Sequence, residues 1–483
     1  MTKVPEEITF DPRVAVVRTH ISDYAEPLSA SDDEIRSALR RIARLLGWTG
    51  GGDKGAFANV VPRGARVLVK PNLVMHENLG PWGMKPLVTH GSLISAAVEE
   101  ALRSGAAEVM VGDAPLQACD FAEMTRRMGL DSWAEEFAQQ EPRFKGVRDF
   151  RRTVSTVVSG VRVAAEDLQP ADRFVLFDLG SESLLEPITD DRGRFRVTCY
   201  DPRLLARTHA PGRHQYLVAR EVIEADVVIN LPKLKTHKKA GLTCALKNLI
   251  GINGNKEFLP HHRVGGPHRG GDCYDGGGIL KGALEHLADR QNTAGTRTSA
   301  RLWHGLSVPI DRALRMLGED AEIEGAWSGN DTIWRTCLDL NRILLYGTAD
   351  GVLRDEVQRR VLHVVDAVVA GQGDGPLAPQ PLPMGLLLAG SNAAAVDWAG
   401  AHLLGYDPAK IPIAREAFGR FSRPLTAFAS SEVCVAGDLG AGRADEVLPR
   451  QGAGCVAYPA GWRDAVARPA SAEKDTGAQA FTP

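Results

Sequence analysis

The chain has few features of a disulfide-bonded or cysteine-ligated protein. Its seven cysteines are an odd number, and no two of them have the spacing C-x-x-C. The count argues against a disulfide framework, and the missing spacing argues against a zinc finger or a ferredoxin-type cluster. Because reduced thiols are typical of the cytoplasm, we expect a cytoplasmic protein.

Export signals, long apolar runs and excess positive charge are also missing. The N-terminal segment MTKVPEEITFDPRVAVVRTH has neither an apolar signal core nor a twin arginine, so no export signal is predicted. No apolar run reaches the roughly 18 residues of a transmembrane helix. The formal net charge is -3, so no global field favours nucleic acid or an anionic membrane. We therefore expect neither as a partner, and the oligomeric state stays open.

Short apolar runs that alternate with helical patterns are what the chain does contain. Strands are predicted at 66–70, 108–111, 226–230, 361–369 and 384–389, and helices at 91–104 and 393–404. Strands that are apolar throughout are typical of a sheet buried on both faces. The alternation predicts an α/β fold with mainly parallel strands, flanked by helices and carrying α-rich and β-rich insertions.

The chain is longer than one ordinary hydrophobic core requires, so we predict several segments. They are an N-terminal extension (1–60), an α/β core (61–260) with an insertion at about 120–200, a glycine-rich then helical insertion or lid (261–345), a second α/β segment completing the core (346–460) and a disordered tail (461–483).

Four of the predicted strands end in polar or glycine-rich loops. These loops are Lys70-Pro71-Asn72, Gly112-Asp113, Asn230 to His237, and Gly371 to Gly375. Ligands of open α/β sheets bind outside the carboxyl ends of the strands, so the four loops predict one site. The residues expected to contact a cofactor or substrate there are Lys70, Asn72, Asp113, Gly373 and Asp374. Each loop taken alone is equally compatible with a simple turn, and Asp113 with a cap.

The segment after the third strand is rich in lysine. A helix is predicted from about Thr243 to Ile250, with Thr243 as its N-cap. Free N–H groups at that end, together with Lys235 and Lys247, would bind an anion such as phosphate or carboxylate. Asn248 would contact the same ligand. The alternative is a solvated basic loop.

Histidines surround the same segment. His237 follows the strand end and is a candidate proton shuttle or metal ligand. His261 and His262 lie downstream, and adjacent histidines point in different directions, so at most one of them would share a site with His237. A surface loop is the alternative. Cys244 is interpreted as a buried small residue rather than a nucleophile, and Asp397 as a capping or lysine-paired group.

The motifs VLVKPNLV, EVMVGDAP, ADVVINLPKLKTHKKAGLTCALKNLIG, and DAVVAGQGDGP followed by AVDW occur in this order. The chain in this respect resembles the bacterial and archaeal family called domain of unknown function 362. Other members of that family carry a twin-arginine signal or a ferredoxin module, which this chain lacks. The resemblance implies a fold and, as one option, a redox or metal-handling role with a partner ferredoxin.

A more distant resemblance is to lactate racemase and its relatives. There a histidine, an Ala-Gly pair and a lysine follow one another as His237, Ala240-Gly241 and Lys247 do here. The resemblance implies that His237 is a catalytic base, that Lys247 tethers a nickel-pincer nucleotide, and that His261 or His262 binds nickel. Gly112-Asp113-Ala114-Pro115 stands where that family has its second catalytic histidine, so racemisation of lactate itself is not expected.

Taken together, these patterns predict an enzyme acting on an anionic small molecule by acid–base chemistry next to a carboxylate, with His237, Lys247 and Asp113 as catalytic residues. A nucleotide-like or divalent-metal cofactor is part of this hypothesis. Two alternatives stay open: a redox or metal-handling protein that uses a ferredoxin, and a non-catalytic binding or scaffold protein.

Overall fold

The computed structural model describes residues 6–25, 28, 32–50, 52, 54–158, 161–448 and 456–466. Its strands are β1 (Arg13–Arg18), β2 (Arg66–Pro71), β3 (Glu108–Asp113), β4 (Phe144–Asp149), β5 (Thr153–Val158), β6 (Val161–Asp167), β7 (Phe174–Asp178), β8 (Phe195–Arg196), β9 (His209–Ala210), β10 (Arg213–Ala219), β11 (Val227–Leu231), β12 (Lys233–His237), β13 (Gly241–Thr243), β14 (His262–Arg263), β15 (Arg360–Asp374), β16 (Ala378–Gly390), β17 (Cys434–Gly437) and β18 (Gly442–Arg443).

The helices surround the strands. They are α1 (Glu6–Thr9), α2 (Asp32–Leu45), α3 (Gly91–Arg103), α4 (Phe121–Arg127), α5 (Leu130–Gln140), α6 (Pro202–Thr208), α7 (Arg220–Glu224), α8 (Ala245–Asn248), α9 (Ile279–Asn292), α10 (Arg297–Met316), α11 (Ile333–Tyr346), α12 (Ala393–Leu403), α13 (Pro412–Glu416) and α14 (Ala444–Val447). Within the described ranges, every helix is too short or too polar to cross a lipid bilayer.

One large sheet organises the protein. Its strand order is β18, β17, β1, β16, β15, β11, β2, β3, β4. The five strands from β15 to β4 are parallel to one another, whereas β16 is antiparallel to both of its neighbours. The predicted α/β fold with mainly parallel strands is therefore confirmed. The N-terminal region was predicted as an extension, but it supplies β1, which lies between β17 and β16 in this sheet. The apolar run VAVV of β1 is buried there.

The sheet is buried on both faces, as its apolar strands predict. Along β11, Val227, Ile229 and Leu231 face a core that includes residues of α2 and α3. Val228 faces the opposite core, which includes residues of α11 and α12. Alternate residues of one strand thus enter different hydrophobic cores, which leaves the strand ends as the place for polar groups.

The predicted glycine loop at 371–375 is instead part of β15. Strand pairing between β15 and β16 continues to Asp374 opposite Ala378, so the glycines lie within a long hairpin. Glycine is needed at 371 because a Cβ there would lie 2.7 Å from the Cβ of Lys235. The prediction of a loop was wrong because the partner strand is supplied by residues beyond the GQGDGP motif.

The predicted basic loop between Asn230 and His237 is also a strand for most of its length. β12 pairs with β15 in parallel and with β13 in antiparallel orientation, and all five of its residues are buried. Pairing with a strand more than a hundred residues away, which the local sequence does not reveal, overrides the polar composition of the segment.

The end of the described chain packs against the molecule. Trp462 is 1% exposed, and its Nε1 donates a hydrogen bond to the carbonyl oxygen of Lys238 at 2.7 Å. Residues 461–466, predicted as the start of a disordered tail, are therefore ordered by burial of this indole. The remainder of that predicted tail, 467–483, lies outside the described residues.

Candidate functional site

The ends of β2 and β3 are joined by a buried ion pair. Lys70 Nζ lies 2.6 Å from Asp113 Oδ1. Asp113 also accepts hydrogen bonds from the backbone N–H groups of Leu73 at 2.6 Å and Ala114 at 3.0 Å. Burial raises the pKa of Asp113 to about 6, with Lys70 and the N–H groups acting in the opposite direction. Both predicted site residues are thus engaged by partners within the protein.

A chain of amide groups continues from this pair. Lys70 Nζ donates to Asn248 Oδ1 at 3.3 Å, and Asn248 Nδ2 donates to Asn230 Oδ1 at 2.8 Å. Asn230 Nδ2 in turn lies 3.0 Å from His363 Nδ1 and donates to the carbonyl oxygen of Ala245 at 3.0 Å. The network fixes the position of α8 against the carboxyl ends of β2 and β11 and against His363 near the start of β15.

The start of α8 is occupied by a side chain of the protein itself. α8 begins at Ala245, and Cys244 rather than Thr243 is at the N-cap position, so the predicted cap was wrong. The N–H of Leu246 donates to Asp397 Oδ1 at 3.2 Å. Asp397 is 0% exposed, and burial raises its pKa to about 7. The position expected for an external anion at this helix start is therefore occupied by the carboxyl group of Asp397 from α12.

Alternate residues of β12 place two lysines and a histidine on one side of the strand. Lys233 Nζ lies 2.6 Å from Asp366 Oδ2, and both side chains are fully buried. Lys235 Nζ instead donates to the backbone carbonyl of Leu87 at 2.6 Å. Burial lowers the pKa of Lys235 well below its usual value, and the neighbouring Lys233 and Lys247 lower it further. Within the described residues, no carboxylate is paired with Lys235.

Lys247 is also buried and has even fewer partners. It extends from α8 and is 9% exposed, and across the described part of the chain no hydrogen bond or ion pair engages its Nζ. Burial lowers the pKa of Lys247, Lys239 and Lys70 act in the same direction, and the thiol of Cys337 opposes them. A buried amine in such surroundings is suited either to bind an anion or to react as the neutral base.

His237 is held in one tautomer by the backbone. Its Nδ1 accepts hydrogen bonds from the N–H groups of Lys239 at 3.0 Å and Ala240 at 3.2 Å. Because the Nδ1 lone pair is used, the proton of the neutral ring is on Nε2. Burial lowers the pKa of His237 well below 6.5, and the nearby Lys247 and Lys235 contribute. His237 is therefore a neutral imidazole with an Nε2–H that can donate.

The two downstream histidines are placed differently from each other. His261 Nδ1 lies 2.7 Å from the carbonyl oxygen of Leu259, so Nδ1–H donates and the Nε2 lone pair is available. Burial lowers the pKa of His261 well below 6.5, and the nearby Lys239 and Lys247 lower it further. His261 in turn contributes to the lowered pKa of His237. His262 is fully buried, its pKa is lowered by burial to about 3, and its Nδ1 has no hydrogen-bond partner in the described structure.

Lys235, His237, Lys247 and His261 form what we call the basic cluster. Burial is the largest cause that lowers the pKa of each of the four. In every case at least one nearby lysine lowers the pKa further. Among the described residues, no group of three or more His, Cys, Asp or Glu side chains is arranged to hold a metal ion.

The structure places the remaining predicted site residues in different surroundings. Thr243 lies opposite Lys235 in the β12–β13 pairing, and its Oγ1 and the Oδ1 of Asn72 are buried without a hydrogen-bond partner in the described residues. Buried polar atoms are normally hydrogen-bonded, so both are candidate ligand contacts. Gly373 accepts from Thr236 Oγ1 at 2.8 Å within the hairpin, and Asp374 is exposed.

Sequence reasoning missed three groups around the cluster. Asp366 neutralises Lys233, and a lone charge in the apolar run VLHVVDAVV was the available signal. Lys239, for whose segment a solvated basic loop was the alternative interpretation, is buried. It donates to Thr198 Oγ1 at 2.7 Å and to Glu324 Oε2 at 3.1 Å. Nothing in the local sequence connects Glu324 to this lysine, because the two are brought together only by the fold.

Residues 67–176 and 193–402 match the model of a family described as domain of unknown function (DUF362). The match covers more than half of the chain, and the chain belongs to this family. A thylakoid-associated protein of Synechocystis sp. is 25% identical over 195 residues, which are 40% of this chain and 37% of that protein. The chain thus matches well under half of that relative's length.

Two solved structures have a distant likeness to the chain. One is a crystal structure of a Thermotoga maritima protein, with a TM-score of 0.34 and 11% identity over 78% of this chain and 60% of that one. The other is lactate racemase apoprotein from Thermoanaerobacterium thermosaccharolyticum, with a TM-score of 0.29 and 11% identity over 83% of this chain and 58% of that one. These scores are too low to carry an argument about the site.

Proposed function

We propose that the protein is an enzyme that binds a small anionic molecule at the basic cluster and transfers protons at a carbon next to its carboxylate. The observation that carries this proposal is the pairing of the buried lysines. Lys233 and Lys70 each have a carboxylate partner, whereas Lys235 and Lys247 have none among the described residues. Buried charges are costly unless paired, so an anionic ligand is the natural partner for these two amines.

Each member of the cluster has a role that follows from its hydrogen bonds. Lys235 and Lys247 bind the carboxylate of the substrate. His237 donates its Nε2–H to the oxygen on which negative charge develops, as a neutral imidazole can in a site that excludes water. His261 has a free Nε2 lone pair and is the proton acceptor. This assignment changes the expected role of His237 from base to donor.

Asp113 has a positioning role in this proposal rather than a catalytic one. Both of its oxygens accept hydrogen bonds from protein donors. It holds Lys70, and Lys70 contacts Asn248 at the end of α8, one residue after Lys247. The close approach is possible because Gly251 has no side chain: a Cβ there would lie 1.9 Å from Asp113 Oδ1.

The resemblance to lactate racemase implies a nucleotide-like cofactor, and two groups of the basic cluster fit such a cofactor. In this alternative assignment Lys247 would tether the cofactor instead of binding the substrate carboxylate, and the Nε2 of His261 would be a metal ligand instead of the proton acceptor. Such a group would supply a Lewis-acidic metal when bound. Intact-mass and metal analysis of protein from its native host tests this: an adduct on Lys247 or stoichiometric nickel supports it, and an unmodified, metal-free protein contradicts it.

Anion binding is tested by measuring thermal unfolding with a panel of small carboxylates that carry a hydroxyl group and a hydrogen on the carbon next to the carboxylate. Any anion that raises the melting temperature is then incubated with the protein in D2O, and exchange of its α-hydrogen is followed by proton NMR. We expect stabilisation and exchange with the unmodified protein, and loss of both in Lys247→Met and Lys235→Met.

His237→Phe should retain anion binding but lose exchange, because phenylalanine keeps a planar ring but has no N–H to donate to the developing charge. Lys238→Met is the matched control, since Lys238 lies in the same segment but forms a surface ion pair with Glu322 at 3.0 Å. It should behave as the unmodified protein. If no member of the panel stabilises the protein, or if Lys247→Met binds and exchanges normally, the proposal is wrong.

A further inference from the structure

A polar cavity lies apart from the basic cluster, between the β8–β14 ribbon and α9. Its volume is about 480 Å³, which is within the usual range of small-molecule sites. We call it the arginine cleft. Its charged lining residues are Arg192, Arg194, Arg196, Arg269, His286, Glu285 and Asp289.

The charges of the arginine cleft do not balance. Four arginines face two carboxylates of the lining, and Asp190 outside the lining pairs with Arg194, so the arginines outnumber these three carboxylates by one. Both carboxylates are already engaged: Asp289 accepts from Arg196 at 2.8 and 2.9 Å, and Glu285 accepts from the N–H of Gly265 at 2.7 Å. The excess charge is therefore not cancelled by the carboxylates of the cleft.

Two of the four guanidinium groups are available to a ligand. Arg194 forms an ion pair with Asp190 at 2.9 Å, and Arg196 pairs with Asp289. Within the described residues, the guanidinium groups of Arg192 and Arg269 form neither a hydrogen bond nor an ion pair. Guanidinium is a planar fork that binds phosphate oxygens in pairs, and two such forks at one cavity fit a phosphate dianion.

The arginine cleft adjoins a smaller cavity that extends toward the basic cluster. The two share Arg196, Val264, Glu285 and Asp289. The inner cavity, of about 60 Å³, continues to Thr198, His262 and Glu324. Lys239 donates to Thr198 and Glu324, so its amine contacts two residues of the inner wall. A ligand anchored at the arginines could therefore extend toward Thr198 and Glu324.

We propose that the arginine cleft binds the phosphate group of a small phosphorylated molecule, either a simple phosphate ester or a nucleotide. The unpaired guanidinium groups of Arg192 and Arg269 supply the affinity, and the inner cavity accommodates the part of the molecule next to the phosphate. This proposal is independent of the chemistry at the basic cluster, because none of the cluster residues lines the cleft.

The test is isothermal titration of the full-length protein with pyrophosphate and with ADP, at low and at physiological salt. Arg192→Ala/Arg269→Ala should weaken both by about tenfold or more, as the loss of charge-assisted hydrogen bonds predicts. The control is Arg301→Ala/Arg312→Ala, which removes two exposed arginines of α10 outside the cleft and should bind normally. Lys247→Met should also bind normally, which separates failure here from failure at the basic cluster.

Tighter binding of ADP than of pyrophosphate supports a nucleotide, and equal binding supports a simple phosphate ester; both support the proposal. It is overturned if the unmodified protein binds neither probe, if the cleft variant binds both with unchanged affinity, or if the α10 control loses as much affinity as the cleft variant. Circular dichroism and thermal unfolding of all variants confirm that any loss does not come from misfolding.

Discussion

Lys233 and Asp366 form an ion pair at 2.6 Å in which both side chains are fully buried. Two positions further along the same strand, Lys235 is equally buried but reaches only the carbonyl oxygen of Leu87. The structure thus contains paired and unpaired buried lysines side by side. This difference separates lysines that stabilise the fold from lysines that are available to a ligand.

The first prediction compares these two kinds of lysine. Lys233→Met should lower the free energy of unfolding by about 3 to 5 kcal/mol, because it leaves Asp366 buried without its partner. Lys247→Met should leave the free energy of unfolding unchanged or raise it, because it removes a buried amine that has no partner. Urea-induced unfolding followed by tryptophan fluorescence measures both. A large loss of stability in Lys247→Met would show that this lysine is structural.

The second prediction concerns the tautomer of His237. Two backbone N–H groups donate to its Nδ1, so the proton should be on Nε2. Since burial lowers the pKa of His237 well below 6.5, the ring should stay neutral as the pH falls through 6.5. Nitrogen-15 NMR of histidine-labelled protein, assigned with His237→Gln, measures both. A proton on Nδ1, or titration near pH 6.5, would contradict the proposed donor role.

The third prediction tests the close packing around Lys70 and Asp113. Gly251→Ala places a Cβ 1.9 Å from Asp113 Oδ1 and 2.8 Å from Lys70 Nζ, so the ion pair must shift. We expect a loss of about 1 to 3 kcal/mol, the usual cost of overpacking. Gly305→Ala is the control, because nothing lies within 4 Å of its Cβ and alanine favours its helix. Equal unfolding free energies for the two variants would contradict the described packing.

The fourth prediction is a pH dependence that comes from Asp397. Its pKa is raised by burial from 3.8 to about 7, so the fold favours the protonated carboxyl. Its stabilising contribution is complete below about pH 4 and is lost as the pH rises through 7. One pKa unit corresponds to about 1.4 kcal/mol, so this loss is on the order of 4 kcal/mol.

Asp397→Asn should remove that loss, because an amide does not ionise and its Oδ1 can still accept from the N–H of Leu246. Unfolding free energies of the unmodified protein and of the variant are to be measured between pH 4.5 and 8. The free energy of unfolding of the variant, relative to that of the unmodified protein, should increase as the pH rises. A constant difference across this range would show that Asp397 is ionised throughout.

Local sequence patterns predicted much of the sheet. The apolar runs of β2, β3 and β11, and helices α3 and α12, lie where the sequence placed them, because their burial depends on periodicity within a few residues. Asn392 caps α12 by accepting from the N–H groups of Ala394 and Ala395. The convergence of Lys70, Asp113 and the lysine-rich segment at one sheet edge follows from parallel pairing.

The rest depends on partners that are distant in sequence. β12 is a strand because β15 lies beside it, and the start of α8 is occupied because Asp397 approaches it from α12. Whether a lysine is paired is decided in the same way: Lys233 meets Asp366, whereas Lys247 meets no carboxylate among the described residues. Motif spacing places such residues near a site, but it does not show which of them are free to bind a ligand.

The central claim is that Lys247 is a buried amine with a lowered pKa that an anionic ligand can reach. Its reactivity toward trace acetic anhydride, measured by peptide mass spectrometry from pH 6 to 11, tests this most directly, with the exposed Lys145 as the internal reference. We predict that Lys247 reaches half of its maximal labelling at a lower pH than Lys145, and that an anion that stabilises the protein protects Lys247 but not Lys145. Half-maximal labelling at the same pH for both lysines, or no protection of Lys247, would contradict the account.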